Sequence, residues 1–196
     1  VMCSNSNQAE FQRMGNYYSF VGGEEGLWEV TSCEAIVGDP LEKVKRLDMV
    51  NLPAASLTDR GVWVLQGFTS NLRYAERHEV EKLKAIQEGL NRSSATCAAL
   101  IPIKKSAAWW ALSQDERREI FEAQSHHTEI GLAYLPEVAR QLHHCRDLGE
   151  PFDFVTWFEF APEHTDEFNK LLVSLRATPE WEFVEREVDI RLIKHG

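Results

Sequence analysis

The chain has 196 residues, 43% of them apolar, and a formal net charge of −10. That length allows one large domain or two small ones, and the apolar fraction is enough for a core. The acidic balance excludes nucleic acid and anionic membrane surfaces as partners, because both need a basic face.

The four cysteines, Cys3, Cys33, Cys97 and Cys145, are scattered without a Cys-x-x-Cys spacing. This suits reduced thiols in a cytoplasm better than a disulfide framework. No basic segment followed by an apolar run opens the chain, so no signal peptide is expected. No apolar stretch approaches the roughly 18 residues of a spanning helix.

Residues 1–15 (VMCSNSNQAEFQRMG) lack periodicity and read as a disordered lead-in. The Gly22-Gly23 pair reads as a turn before a strand near Leu27–Val37. Gly61–Thr69 (GVWVLQGFT) predicts a strand from its Val, Trp and Phe content. A helix over roughly Leu72–Leu90 follows, with Leu83, Ile86 and Leu90 on one face. The turn Asn91–Ser94 then leads to a strand over Thr96–Ile103.

Ser113 and Glu116 form a capping box for a helix to about Gln124. Ser125 is a candidate cap for the next helix, which Pro136 must end or kink. A helical pattern resumes from Glu137 to about Leu148, and Gly149-Glu150-Pro151 closes it. Phe152–Phe160 (FDFVTWFEF) predicts a strand, and Pro162 fits the first turn of a helix to about Arg176. After a turn at Ala177–Pro179 comes the alternating strand Glu182–Leu192. There Val184, Val188, Ile190 and Leu192 share a face interrupted by Arg186.

The two strand–helix–strand units lie about 90 residues apart and suggest an internal duplication. The expected fold class is therefore α+β, a single domain over residues 16–196. Two ferredoxin-like halves, at about 16–104 and 151–196, face each other across a pseudo-twofold. A helical insert at about 105–150 supplies the site.

That insert is chemically dense. Lys104 to Arg146 contains a lysine pair, Trp109-Trp110, two histidine pairs and Arg140. Buried imidazole and guanidinium groups need partners, and tryptophans this dense suggest a large flat apolar object, which a haem fits.

His126 and His127 open a helix, and one of them can offer Nε2 to a metal if its Nδ1–H has an acceptor. Neighbours on a helix diverge by about 100°, so only one of the two points a given way. Surface or partly buried histidines are the ordinary alternative. His143, His144 and Cys145 with His127 have ligand types that zinc accepts, but their spacing is no compact zinc pattern.

Arg140 lies 13 residues after His127 with Pro136 between them. In a straight helix that offset is about 220° and roughly 20 Å of rise, which separates the side chains. A break at Pro136 lets the chain place them above and below a flat cofactor. Trp109, Trp110 and Trp157 are either core or pocket lining. Lys105, four residues before Trp109, is either an anchor for an acidic group or a snorkelling surface lysine.

KSAAWW, SHH, YLPEVARQLHHCRDLGEPFDF and EWEFVEREVDIRLIK together resemble the chlorite dismutase family of haem proteins, its short-chain dimeric branch above all. The similarity runs from about Val62 onward. The resemblance implies a dimeric α+β barrel, a homodimer, and one haem b per subunit.

It also implies roles. His127 becomes the proximal iron ligand and Glu180 the carboxylate on its other nitrogen. Lys105 belongs to that proximal network, and Arg140 is the flexible distal arginine. Gln87 is a distal glutamine, Trp109, Trp110 and Trp157 line the haem pocket, and Tyr74 approaches a propionate. The implied reaction has chlorite give one oxygen to ferric iron, leaving a high-valent oxo-iron and hypochlorite. Arg140 retains the hypochlorite until chloride and dioxygen form. Relatives without efficient chlorite turnover remain the alternative: coproheme decarboxylase-like enzymes, weak peroxidases, or haem-binding and haem-transfer proteins.

Overall fold

The computed structural model describes residues 17–58, 61–69, 89–134 and 137–195. The expected lead-in, the expected helix as far as residue 88, Tyr74, Gln87 and Pro136 lie outside the described residues.

The described strands are β1 (Tyr17–Gly23), β2 (Trp28–Val37), β3 (Arg46–Val50), β4 (Trp63–Phe68), β5 (Cys97–Lys105), β6 (Val138–His144), β7 (Phe154–Phe160) and β8 (Val184–Lys194). They close into one barrel in the order β1-β3-β2-β8-β5-β7-β6-β4. Starting from β4, the order reads β4-β1-β3-β2 and then β8-β5-β7-β6, so one strand order occurs twice. The duplication expected from sequence exists, but its unit is four strands. β4 and β5, expected as the two strands of one unit, are not neighbours, and neither are β7 and β8.

The stretch from Glu137 to Leu148 was expected to be helical. Residues 138–144 instead form β6, paired antiparallel with β7 from Val138↔Phe160 to His144↔Phe154. Val138, Ala139 and Leu142 fit a helical spacing, whereas on a strand Ala139 faces away from the other two, and pairing with β7 overrides the helical pattern.

The Gly22-Gly23 pair is the end of β1, not a turn. A Cβ on Gly22 would sit 2.4 Å from the Trp63 ring, so glycine is what lets that indole cross β1. Ser125 does not cap the following helix, whose N-cap is His126 without a side-chain cap bond.

Four α-helices are described: α1 (Ala107–Ala111), α2 (Gln114–Arg118), α3 (His127–Leu132) and α4 (Thr165–Arg176). The capping box at α2 forms as expected. Glu116 N–H donates to Ser113 Oγ at 3.3 Å, and Ser113 N–H donates to the Glu116 carboxylate at 2.7 Å. A π-helical segment, Glu119–Gln124, continues α2.

Alternation along the strands creates two separate interiors. One face of β5, β7 and β8 sends Leu100, Val155, Trp157, Val188, Ile190 and Leu192 into the barrel, against Phe20 and Trp28. The other face sends Ala99, Ile101, Phe158 and Phe160 outward under Phe168, Leu171, Leu172 and Leu175 of α4. Each fully buried side chain of this size contributes roughly 1.5–3 kcal/mol.

The outward residues of β8 also include Glu187 and Asp189, both buried, which Arg176 of α4 bridges. Among the described residues no helix is long and apolar enough to cross a membrane.

Candidate functional site

A cavity of about 1270 Å³, mouth included, lies between the outward face of the β5–β7–β6 sheet and the helices that cover it. Alternate residues of each strand reach it: Ile101, Ile103 and Lys105 from β5, Phe154, Thr156 and Phe158 from β7, and Val138, Arg140, Leu142 and His144 from β6. Trp109, Phe121, His127, Gly131, Glu180 and Trp181 line it as well. The walls are therefore mostly aliphatic and aromatic, with a few polar groups, as in small-molecule and cofactor sites generally.

The polar groups are organised around Glu180. One carboxylate oxygen, Oε2, lies 2.7 Å from His127 Nδ1, and the other accepts from Lys105 Nζ at 2.8 Å. Lys105 Nζ also reaches the Glu180 carbonyl at 3.3 Å. Burial alone would raise the Glu180 carboxyl, but His127 and Lys105 outweigh it and hold the group at about 2. Burial pulls the Lys105 ammonium down, and the Glu180 charge opposes that pull. The three side chains thus share charge across a buried carboxylate. With Nδ1 committed to Glu180, Nε2 is the His127 nitrogen left for a metal.

The local fold sets this geometry. His126, the residue before His127, has φ 50°, a left-handed conformation uncommon for a residue with a Cβ. It follows the π-helical segment, and such segments occur often at functional sites. Phe121 stacks on the His127 ring at 4.3 Å between centroids. Lys105 stands beside a β-bulge, where the register to β8 jumps from Lys104↔Arg186 to Lys105↔Val184. Bulges re-aim side chains next to sites.

Arg140 projects from β6 into the same cavity, and its guanidinium packs on Gly131 of α3, one turn beyond His127. A Cβ at Gly131 would lie 3.6 Å from Nη1. Burial lowers the Arg140 pKa and the Glu122 charge raises it, yet a guanidinium keeps its charge in any ordinary environment.

The structure brings His127, Glu180, Lys105, Arg140 and Trp109 to one cavity. It does not bring Trp157 there. Trp157 is fully buried on the barrel side of β7, stacked on Phe20 and edge-on to Trp28, and donates to Glu159 Oε1 at 2.9 Å. Its place in the strand alternation is opposite to that of Thr156 and Phe158. Trp110 is not part of the lining either. It lies behind Phe154, donates to Asp153 Oδ2 at 3.1 Å and carries Arg146 3.7 Å from its ring centroid. His143 and His144 face opposite sides of β6, so with Cys145 they cannot converge on His127, and the zinc alternative has no geometry.

The model of the chlorite dismutase family matches residues 48–194, well over half of the chain. The chain belongs to the chlorite dismutase family. A chlorite dismutase from Ideonella dechloratans is 35% identical over 123 residues, which cover 59% of this chain and 39% of that relative. The chain therefore spans well under half the length of that curated relative.

Among solved structures, the dimeric chlorite dismutase from Nitrobacter winogradskyi superposes with a TM-score of 0.84 at 53% identity, covering 90% of this chain and 99% of the other. A mutant chlorite dismutase from Candidatus Nitrospira defluvii gives a TM-score of 0.57 at 28% identity, over 67% of this chain and 54% of the other.

Within this chlorite dismutase fold, three contributors escaped the sequence reading. Trp181 lines the cavity with its ring centroid 5.3 Å from Lys105 Nζ, which also lies 4.7 Å from that of Trp109. Ser125 Oγ accepts the Glu180 backbone N–H at 3.0 Å and ties the carboxylate's own turn to the His127 segment. Asp153 Oδ2 accepts the Lys105 N–H at 2.7 Å. Only Trp181, next to Glu180 in EWEF, had a visible signal. The other two depend on contacts 55 and 48 residues apart.

Proposed function

We propose that this chain binds haem b in the cavity, with His127 as the iron ligand, and decomposes chlorite to chloride and dioxygen. The observation that carries the reading is the His127–Glu180–Lys105 chain at the wall of an apolar cavity that also receives Arg140. The donor set suits haem: one imidazole has its Nδ1 on a carboxylate and its Nε2 left for iron, and aliphatic and aromatic walls suit a porphyrin face. When bound, haem iron supplies the redox centre at which Cl–O bonds break and an O–O bond forms.

The chain's own groups do the rest. Glu180 accepts the His127 Nδ1–H, fixes the ring's orientation and makes it a stronger donor. Lys105 donates to the other carboxylate oxygen, so the Glu180 charge is shared between the ammonium and the His127 N–H. Arg140 is a fixed positive charge in a protein of net charge −10, so it is the group that draws an anionic substrate inward. It also retains hypochlorite until the second oxygen is used, because escaping hypochlorite oxidises methionine and tryptophan side chains. Trp109 walls the cavity. Gln87 and Tyr74 keep their proposed roles on the distal side and near a propionate.

On this reading residues 16–196 are one domain and the working form is a cytoplasmic homodimer, as the Nitrobacter relative is described as dimeric. The test combines an absorption spectrum with an oxygen electrode. The reading expects a Soret band and dioxygen released on adding chlorite. A protein that binds added hemin yet releases no dioxygen is a haem-binding relative instead.

A further inference from the structure

Lys105 is 5% exposed, and an ammonium so deeply buried needs firm placement. Glu180 supplies a carboxylate oxygen and its backbone carbonyl, and the ammonium lies over the rings of Trp109 and Trp181. Trp181 in turn is fixed by a hydrogen bond: its Nε1–H donates to Glu187 Oε2 at 2.8 Å. Glu187 is fully buried at 0% exposure, and its other oxygen accepts from Arg176 Nε at 2.9 Å and Nη2 at 2.6 Å. Arg176 Nη2 also donates to Asp189 Oδ2 at 2.9 Å, and Asp189 is paired with Arg191. A continuous polar path thus runs from the C-terminal end of α4 to the cavity wall. Buried charges of this kind are expensive, and plain packing of an aromatic wall does not require them.

We propose that Glu187, clamped by Arg176, is a positioning residue for the iron-facing side of the cavity, acting through Trp181 on Lys105. It locks the Trp181 ring, and the ring face holds the ammonium on Glu180 Oε1. The ammonium sets how much carboxylate charge remains to draw on the His127 N–H. With Lys105 displaced, that charge is unshared and the pull on Nδ1–H grows. A stronger pull makes the imidazole more electron-rich and favours ferric over ferrous iron. The spectroscopic consequence rests on the haem reading, whereas the placement of Lys105 does not.

Two variants test it. Trp181→Leu removes both the ring face and the N–H, and Glu187→Gln removes the charge at nearly constant volume. Both should load haem at wild-type stoichiometry, with a lower iron midpoint potential and a higher ferrous iron–histidine stretching frequency, more so in Trp181→Leu. Lys105→Met should give the same shift, and adding Trp181→Leu to it should add nothing. Trp181→Phe, which keeps a ring face, should recover most of the wild-type value. An unchanged potential in Trp181→Leu, or an equal shift on the Lys105→Met background, overturns the proposal.

Acylation of the haem-free protein with acetic anhydride, read by mass spectrometry, gives an independent answer that also serves if Glu187→Gln fails to fold. Lys105 should be protected in the wild type and labelled in Trp181→Leu at a rate approaching that of the exposed Lys104. Continued protection in Trp181→Leu sinks the proposal. A wild type that takes up no haem defeats the haem reading alone, and the labelling result still decides this one.

Discussion

His143 and His127 show what the two sides of one sheet do with the same side chain. His143 points into the barrel, fully buried, with Nδ1 3.1 Å from the Val155 carbonyl and aromatic edges from Tyr18 and Phe20. Its Nε2 has no hydrogen-bond partner among the described residues. Burial drives its pKa down to about 4, so it is a neutral ring that fills space. His127 stands at the outer cavity with Nδ1 2.7 Å from a carboxylate that a lysine also holds. A carbonyl fixes a tautomer, whereas a carboxylate also feeds electron density into the ring. The polar groups able to hold a ligand therefore gather at the outer cavity, and the barrel interior is packed behind them.

That contrast can be broken from the strongest side first. His127→Ala should abolish most hemin uptake, seen as loss of the Soret band, while circular dichroism keeps the barrel's strand signal. Glu180→Ala leaves Lys105 buried without its carboxylate and should cost about 3–5 kcal/mol in denaturant unfolding.

Acid sharpens the comparison because the two groups act in different windows. Glu180 is held at about 2 against an ordinary 4.5, so its contribution is present above pH 4.5 and is lost as pH falls toward 2. His143 is held at about 4 against 6.5, so the unfolded chain takes up its proton first, and stability falls between pH 6.5 and about 4. His143→Phe should flatten unfolding free energy in that upper window and leave the lower one, as a pH series of urea melts would reveal.

Arg140→Ala is expected to disturb stability least. It should keep haem yet release more trappable hypochlorite, yield less dioxygen and inactivate sooner. Wild-type oxygen yield and lifetime would remove Arg140 from the account.

Local signals in the sequence carried most elements. The Ser113 capping box, Pro162 at the start of its helical turn and the alternation of β8 are short-range chemistry and read correctly. β6 did not, because Val138, Ala139 and Leu142 fit a helical spacing and only pairing with β7 shows a strand with buried residues on both faces. The same parity decides Trp157: one step along β7 moves a ring from cavity to barrel, and no residue type announces which.

At the site, His127 and Glu180 are 53 residues apart, so only family resemblance joined them in advance. Ser125 was legible only as a helix cap and Asp153 not at all, because each acts on a backbone N–H that any sequence offers. Glu187 and Asp189 on the outward face of β8 are buried with Arg176 of α4 bridging them, a long-range pairing that the alternation of the strand does not announce.

The most direct measurement is a hemin titration of the wild-type chain beside His127→Ala, followed by absorption spectroscopy. The account predicts saturation at one haem per chain with a Soret band in the wild type, and at most weak, non-saturating uptake in the variant. Identical titration curves for the two proteins, or a wild type that leaves hemin free, would contradict it.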